Sequence, residues 1–333
     1  MAELRRDPIV GRWVIIETEE PRQPSEFEKE KHVFKQGNNC AFCYGNENLT
    51  PPEITAVRPP ETKPNTPGWS VRVVPNKFPA LQIEGDLDRS GIGIYDMSNG
   101  IGAHEVIIET PYHTKSLTDL TDEEMKNIVD TYCQRAMDLA RDKRFKYILV
   151  FKNYGVSAGA SLEHTHTQVI ALPMVPKNMA EELEGAREYF DYRERCIFCD
   201  MIFQEYQDKE RIVSENRNFV AFCPFASRFP FEVWIIPKKH NSYFCHSSAE
   251  EIFDCGKILK DVLTRVKISL DDPSYNFIIH SAPLAEQNEA SYHWHIEVMP
   301  KLTRVAGFEW GTGFYVVPTP PDSAAQYLRE ANP

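Results

Sequence analysis

Gly159-Ala160-Ser161-Leu162-Glu163-His164-Thr165-His166-Thr167-Gln168 lies between two apolar runs, Tyr147 to Phe151 and Val169 to Leu172. If this loop continues into an extended strand, His164 and His166 stand two residues apart and project from one face. Both imidazoles then look into the same pocket. Gly159, Ala160 and Ser161 form a small-residue loop whose backbone N–H groups can approach a phosphate, with the Ser161 hydroxyl and the Gln168 amide as further donors. A His-x-His pair can equally serve as a metal site or a satisfied core pair, so the rest of the chain has to decide.

Outward from that stretch the sequence runs twice through one plan, and a repeat of this kind decides the architecture. Glu105-Val106-Ile107-Ile108 leads to Pro111-Tyr112-His113, and Glu232-Val233-Trp234-Ile235-Ile236 leads to Pro237-Lys238-Lys239-His240. Two capping boxes follow, Thr121-Asp122-Glu123-Glu124 and Ser248-Ala249-Glu250-Glu251, each opening an amphipathic helix. Met125, Ile128, Val129, Tyr132, Ala136, Met137 and Ala140 carry the apolar period of the first; Ile252, Cys255, Leu259, Val262, Leu263 and Val266 carry that of the second. Each helix feeds a strand, Tyr147 to Phe151 or Tyr275 to His280, and then a His-x-His, His164-Thr165-His166 or His293-Trp294-His295. The fold class expected is α+β, two tandem copies over residues 1–175 and 176–333, each a mainly antiparallel sheet with a packed amphipathic helix. The charged stretch Pro176 to Arg195 reads as a helix joining them.

The repeat also organises the cysteines. Four of the eight form C-x-x-C pairs, unlike a secreted disulfide framework. In chain order the first copy offers Cys40, Cys43, His113 and His164, and the second Cys196, Cys199, His240 and His293. Two thiolates and two imidazoles suit a closed tetrahedral Zn²⁺ site, so two zinc ions are expected, the second site being open to another divalent metal. Reduced cysteines packed in the core are the competing reading. With His164 on metal, His166 is left free beside the glycine loop. A neutral imidazole held at one nitrogen by a backbone carbonyl is a competent nucleophile toward a phosphodiester.

The 333 residues are 42% hydrophobic and 26% charged, an ordinary globular balance. A net charge of −12 argues against nucleic acid as a partner, which requires clustered cations. No run approaches the length of a membrane span and Met1 to Pro8 lacks a signal-peptide apolar core, so no membrane association and a cytoplasmic location are expected. Pro21 to Gln36 reads as an irregular arm whose Arg22 could contact phosphate, a Gly37-Asn38-Asn39 turn precedes Cys40, and Pro51 to Pro67 reads as loop.

The combined pattern resembles the galactose-1-phosphate uridylyltransferase family of the histidine-triad superfamily. The matching stretches are Arg6-Asp7-Pro8 with Gly11-Arg12-Trp13-Val14, Val71-Arg72-Val73 with Asn76 and Phe78, Pro111 to Lys115, Asn153, and the central loop. The resemblance implies two histidine-triad-like domains, His166 as covalent nucleophile, Asn153, Gly159, Ser161 and Gln168 on the phosphates, Asn76 and Phe78 at the nucleoside, and a homodimer. It also implies a ping-pong transferase of carbohydrate metabolism that exchanges uridylyl between a nucleotide sugar and a sugar 1-phosphate, as in galactose metabolism. Three departures stand out: Thr165 where the family has Pro, Lys77 where it often has Asp, and Gly311 to Tyr315 with Asp322-Ser323 where it places a Glu and a Gln on the hexose. That C-terminal segment is more similar to the ADP-glucose phosphorylase branch, in which adenylyl passes to inorganic phosphate and a second C-x-x-C zinc site occurs. The uridylyltransferases instead suggest a second metal set of Glu182, His280, His293 and His295, which competes for His293. A histidine-triad hydrolase and a zinc-stabilised nucleotide-binding module are the remaining alternatives.

Overall fold

The computed structural model describes residues 1–30 and 39–333. Residues 31–36 of the polar arm, and Gly37 and Asn38 of the turn before Cys40, lie outside the described residues.

The first half contributes β1 (Glu3–Arg6), β2 (Trp13–Ile16), β3 (Thr55–Val57), β4 (Val71–Pro75), the hairpin β5 (Ser90–Ile92) and β6 (Tyr95–Met97), β7 (Ala103–Ile108), α1 (Asp122–Leu139), β8 (Tyr147–Tyr154) and β9 (His166–Leu172). Helices α2 (Lys177–Arg193) and α3 (Ile197–Asp208) follow. The second half continues with β10 (Ile212–Glu215), β11 (Phe219–Phe222), β12 (Val233–Pro237), α4 (Ala249–Leu270), β13 (Tyr275–His280) and β14 (His295–Pro300). The chain ends with α5 (Gly307–Thr312), β15 (Tyr315–Val317) and α6 (Pro321–Glu330). The sequence reading treated Pro51 to Pro67 as loop, but β3 lies within it and pairs with β4. Its three residues are too short for alternation to register, and the β4 edge supplies the order.

Ten strands form one sheet in the order β10-β11-β12-β14-β13-β8-β9-β7-β4-β3, and every pairing within it is antiparallel. Each half supplies five of these strands in mirrored order, and β8 pairs with β13 where they meet. Both capping boxes form as read: Thr121 Oγ1 accepts from Glu124 N–H at 3.2 Å, and Ser248 Oγ from Glu251 N–H at 3.3 Å. Helices α1 and α4 pack on each other over one sheet face. They approach closely at Gly256, where a Cβ would come within 3.2 Å of the Met125 backbone. Met137, placed on the apolar stripe of α1 by periodicity, is 48% exposed. It stands twelve residues beyond Met125, which turns it about 120° away from the stripe; Cys133 and Leu139 complete the buried face instead.

Candidate active site

Strand β9 alternates cleanly. Thr167, Val169 and Ala171 are fully buried toward α1, which sends His166, Gln168 and Ile170 to the opposite face. His164 lies just before the strand, with its ring on the same side as His166. Phe42, between the two cysteines, lies edge-on to both rings, at 6.0 Å and 5.4 Å between centroids.

Cys40, Cys43, His113 and His164 converge. His164 Nδ1 stands 3.6 Å from Cys40 Sγ and 3.5 Å from Cys43 Sγ, and His113 Nδ1 is 3.5 Å from Cys43 Sγ. Metal–sulfur and metal–nitrogen bonds of about 2.3 Å and 2.0 Å give a tetrahedral S···N edge of roughly 3.6 Å, so the donors stand where a zinc-like ion needs them. His164 Nε2–H donates to the Thr110 carbonyl at 2.6 Å, which leaves Nδ1 as the ligand atom. Burial lowers the His164 pKa to about 4, favouring the neutral form a metal requires. The same residue orients its neighbour: His166 Nδ1–H donates to the His164 carbonyl at 2.7 Å. His166 Nε2 therefore carries the free electron pair. Burial, with the Lys152 charge, also lowers the His166 pKa.

His166 opens on a cavity of about 350 Å³ lined by Phe42, Leu49, Thr50, Asn76, Lys77, Phe78, Val106, Ser161 and Gln168 among others. Of the residues read from sequence, Asn76, Phe78, Ser161 and Gln168 thus line one pocket with His166. Phe78 is 83% exposed at its rim. Gly159 has φ +87°, a left-handed backbone that strains any side chain, and a Cβ there would lie 3.8 Å from Asn153 Nδ2. Asn153 stands behind the loop; its Oδ1 accepts from Asn276 Nδ2 at 2.8 Å, and Asn276 also donates to the Ala158 carbonyl at 2.9 Å. Arg22 is not among the pocket residues: its guanidinium covers the Phe27 ring and its backbone bonds to Pro318 and Thr319.

Thr165 explains how the family's proline is dispensed with. Its hydroxyl donates to Glu109 Oε2 at 2.6 Å and accepts from Lys152 Nζ at 2.8 Å. Lys152 also donates to Glu109 and to the His166 carbonyl at 2.8 Å, and Thr167 and Tyr132 hydroxyls complete the carboxylate's shell. Burial would raise the Glu109 pKa, but Lys152 and the hydroxyls outweigh it and hold the carboxylate ionised. The backbone flanking the nucleophile is thus pinned by a fully satisfied buried ion pair rather than by a ring. Sequence reasoning missed Lys152, Glu109, Asn276 and His104. Nothing local marks them; only the strand pairing brings them beside the site.

In the second half Cys196, Cys199, His240 and His293 also cluster, with His240 Nδ1 and His293 Nδ1 at 3.5 Å and 3.6 Å from Cys199 Sγ. A hydrogen bond from Cys196, with help from both imidazoles, draws the Cys199 thiol down to about 3, so a thiolate is ready for a cation. His293 thus groups with the two cysteines rather than with Glu182, His280 and His295. Glu182, His280 and His295 form a group of their own, with His280 Nδ1 and His295 Nε2 at 3.0 Å and 3.2 Å from the Glu182 carboxylate. A larger cavity of about 520 Å³ lies between α3, the Arg6-Asp7-Pro8 turn and Trp234, away from His166.

A sequence model of the galactose-1-phosphate uridyl transferase N-terminal domain matches residues 1–176, and one of a domain of unknown function matches residues 101–330. The chain belongs to the galactose-1-phosphate uridyl transferase family. It is 37% identical to ADP-glucose phosphorylase of Arabidopsis thaliana over 99% of this chain and 93% of that one. It is 30% identical to galactose-1-phosphate uridylyltransferase of Thermotoga maritima over 99% and 98%. The crystal structure of the Arabidopsis phosphorylase with bound ADP-glucose superposes with a TM-score of 0.83 at 36% identity, covering all of both chains. A uridylyltransferase structure superposes with 0.76 at 28%, covering 99% and 98%. The protein is an enzyme, a nucleotidyltransferase acting on nucleotide sugars. Among its described residues no helix is long and apolar enough to cross a membrane.

Proposed function

We propose that this family member works through a nucleotidyl-histidine at His166. His166 Nε2 attacks the α-phosphorus of a nucleotide sugar, the bond to the bridging oxygen breaks, and sugar 1-phosphate leaves with the electron pair. An oxygen of the second substrate then forms a new P–O bond as the P–N bond breaks, restoring the imidazole. The observation that carries the reading is the 2.7 Å bond from Nδ1–H to the His164 carbonyl, which aims the free electron pair of Nε2 at the pocket. Loop N–H groups around Gly159, with Asn153, Ser161 and Gln168, bind the phosphates; Asn76 and Phe78 hold the nucleoside. Arg22 lies outside this cavity.

Zn²⁺ is the cation we assign to Cys40, Cys43, His113 and His164, and to Cys196, Cys199, His240 and His293. When bound it supplies structural cross-linking of loops to the sheet, since neither set leaves an open position. His164 then couples the first site to catalysis through its carbonyl.

The uridylyl reading, with sugar 1-phosphate as acceptor, is favoured by the family and by the Thermotoga relative. The adenylyl reading, with inorganic phosphate as acceptor, is favoured by the higher identity to the Arabidopsis enzyme and by the second Cys/His cluster. We take the adenylyl reading as the first to test. Purified protein incubated separately with ADP-glucose and UDP-glucose is read by intact mass beside a His166→Asn control. An adenylyl adduct supports the phosphorylase reading and a uridylyl adduct the uridylyltransferase one. Binding of both without an adduct would overturn the covalent mechanism.

A further inference from the structure

Asn76, just after β4, and Gln168, on β9, both line the pocket, and one imidazole that the reaction scheme leaves unused lies between them. His104 sits on β7, two residues before Val106, the cross-strand partner of Gln168. Its Nδ1 accepts the Ala80 N–H at 3.2 Å, so the ring proton resides on Nε2. Nε2–H then donates to Gln168 Oε1 at 2.8 Å. With its oxygen so engaged, Gln168 can offer the pocket only its NH₂ group. Asn76 is held differently. Its Oδ1 accepts the Phe78 N–H at 2.9 Å, its backbone N–H donates to the His104 carbonyl at 2.8 Å, and its Nδ2 lies 3.1 Å from the same His104 Nε2. A protonated Nε2 has no in-plane lone pair for that amide, so Asn76 takes its orientation from the Phe78 N–H rather than from the imidazole.

We infer that His104 is a positioning residue that sets the polarity of this wall, turning the Gln168 amide donor-outward toward the phosphates of the bound nucleotide. The opposite tautomer would let Gln168 rotate and present its carbonyl oxygen to an anion, a repulsive contact in place of an attractive one. One backbone N–H, that of Ala80, thus decides the sign of a contact that the imidazole never makes itself. The inference rests on the nucleotidyl-transfer reading above.

A double-mutant cycle separates orientation from mere support. The rate of adduct formation from ADP-glucose or UDP-glucose, whichever labels the wild type, is measured for Gln168→Ala, His104→Phe, the double variant and His104→Gln. Each of the first two is expected to slow labelling by about 10- to 100-fold. The double variant is expected to be no more than about threefold slower than Gln168→Ala alone, because His104 acts through Gln168. His104→Gln, whose terminal nitrogen can stand near the lost Nε2–H, is expected to recover most of the rate. Multiplicative slowing in the double variant, or a glutamine variant as slow as phenylalanine, would overturn the inference. If His104→Phe fails a thermal-melt check, His104→Ala takes its place in the cycle. A wild type that forms no adduct defeats the proposed function; a labelled wild type with a multiplicative cycle defeats only the role of His104.

Discussion

The two His-x-His motifs occupy corresponding places in one sheet and have been put to opposite uses. Phe151 pairs with Gln168 as Ile278 pairs with Glu297, so Gln168 corresponds to Glu297 and, two residues on, Asn153 corresponds to His280. Val106, facing Gln168, corresponds to Trp234, facing Glu297. In the first half these positions carry two amides and a small side chain, and Val106 and Gln168 line an open cavity. In the second, the Trp234 ring stacks on His295 at 4.8 Å and 23°, and His280 stacks on it at 4.8 Å and 18°. His295 is wholly buried, with Nδ1 on the His293 carbonyl at 3.2 Å and Nε2 on Glu182. Neither nitrogen reaches solvent. The sheet and the Cys/His clusters survive duplication unchanged, whereas a nucleophile depends on a few side chains that control volume and the partner of one nitrogen.

The largest effect should separate the two histidines. His166→Asn is expected to slow nucleotidyl-enzyme formation by about 10⁴-fold or more, since loss of a covalent nucleophile costs rates of that order. His295→Asn should leave the rate within about threefold while removing about 1–3 kcal/mol of stability, the cost of partners left unpaired in the interior. Intact-mass labelling and chemical denaturation give both numbers. A His295 variant that loses the adduct would make the halves catalytic equals.

Next in size is the contrast between the metal-ligand clusters. Cys43→Ser is expected to slow labelling by about 100-fold where the fold persists, because the His164 carbonyl that orients His166 is no longer held. Cys199→Ser should instead lower Tm by on the order of 10 °C, with rates changed only a few-fold. Metal content, melting and labelling measured on the same samples test the pair. Equal rate losses from the two variants would mean that the second cluster also serves the chemistry.

Much of this division can be read in the chain, and the remainder has a physical reason for being hidden. The capping boxes, the near-constant repeat and the C-x-x-C pairs are local signals, and α1, α4 and both clusters follow from them. The continuous sheet depends on β8 pairing with β13, a contact between residues more than a hundred positions apart that no periodicity encodes. The sealing of His295 requires knowing that Trp234 stands across from Glu297, which only register reveals. His104 and Lys152 read as a strand histidine and a strand lysine until β9 is laid between their strands.

Asn276 tests whether the sealed half still serves the open one. It reaches across the β8–β13 junction to Asn153 and the Ala158 carbonyl, so Asn276→Ala frees Asn153 to turn and loosens the phosphate loop. The loss of one orienting bond of about 1 kcal/mol predicts a labelling rate lower by roughly 5- to 10-fold. An unchanged rate would confine the second half to structural support.

The smallest effect concerns the charge network that replaced the second pocket. Burial would lower the His280 pKa, but Glu297 and Glu182 outweigh it and raise it from 6.5 to about 10. Burial would raise Glu182, yet His280 and His295 hold it at about 2 against an ordinary 4.5. The stabilisation from His280 is therefore complete below pH 6.5 and is lost as pH rises toward 10. That from Glu182 is complete above pH 4.5 and is lost as pH falls toward 2. Between pH 6.5 and 10 the denaturation midpoint of the wild type should decline, and His280→Gln should flatten the decline while lowering the midpoint at pH 6.5. Asn153, the first-half counterpart of His280, does not titrate. A decline of equal slope in the His280 variant would place the alkaline sensitivity elsewhere in the chain.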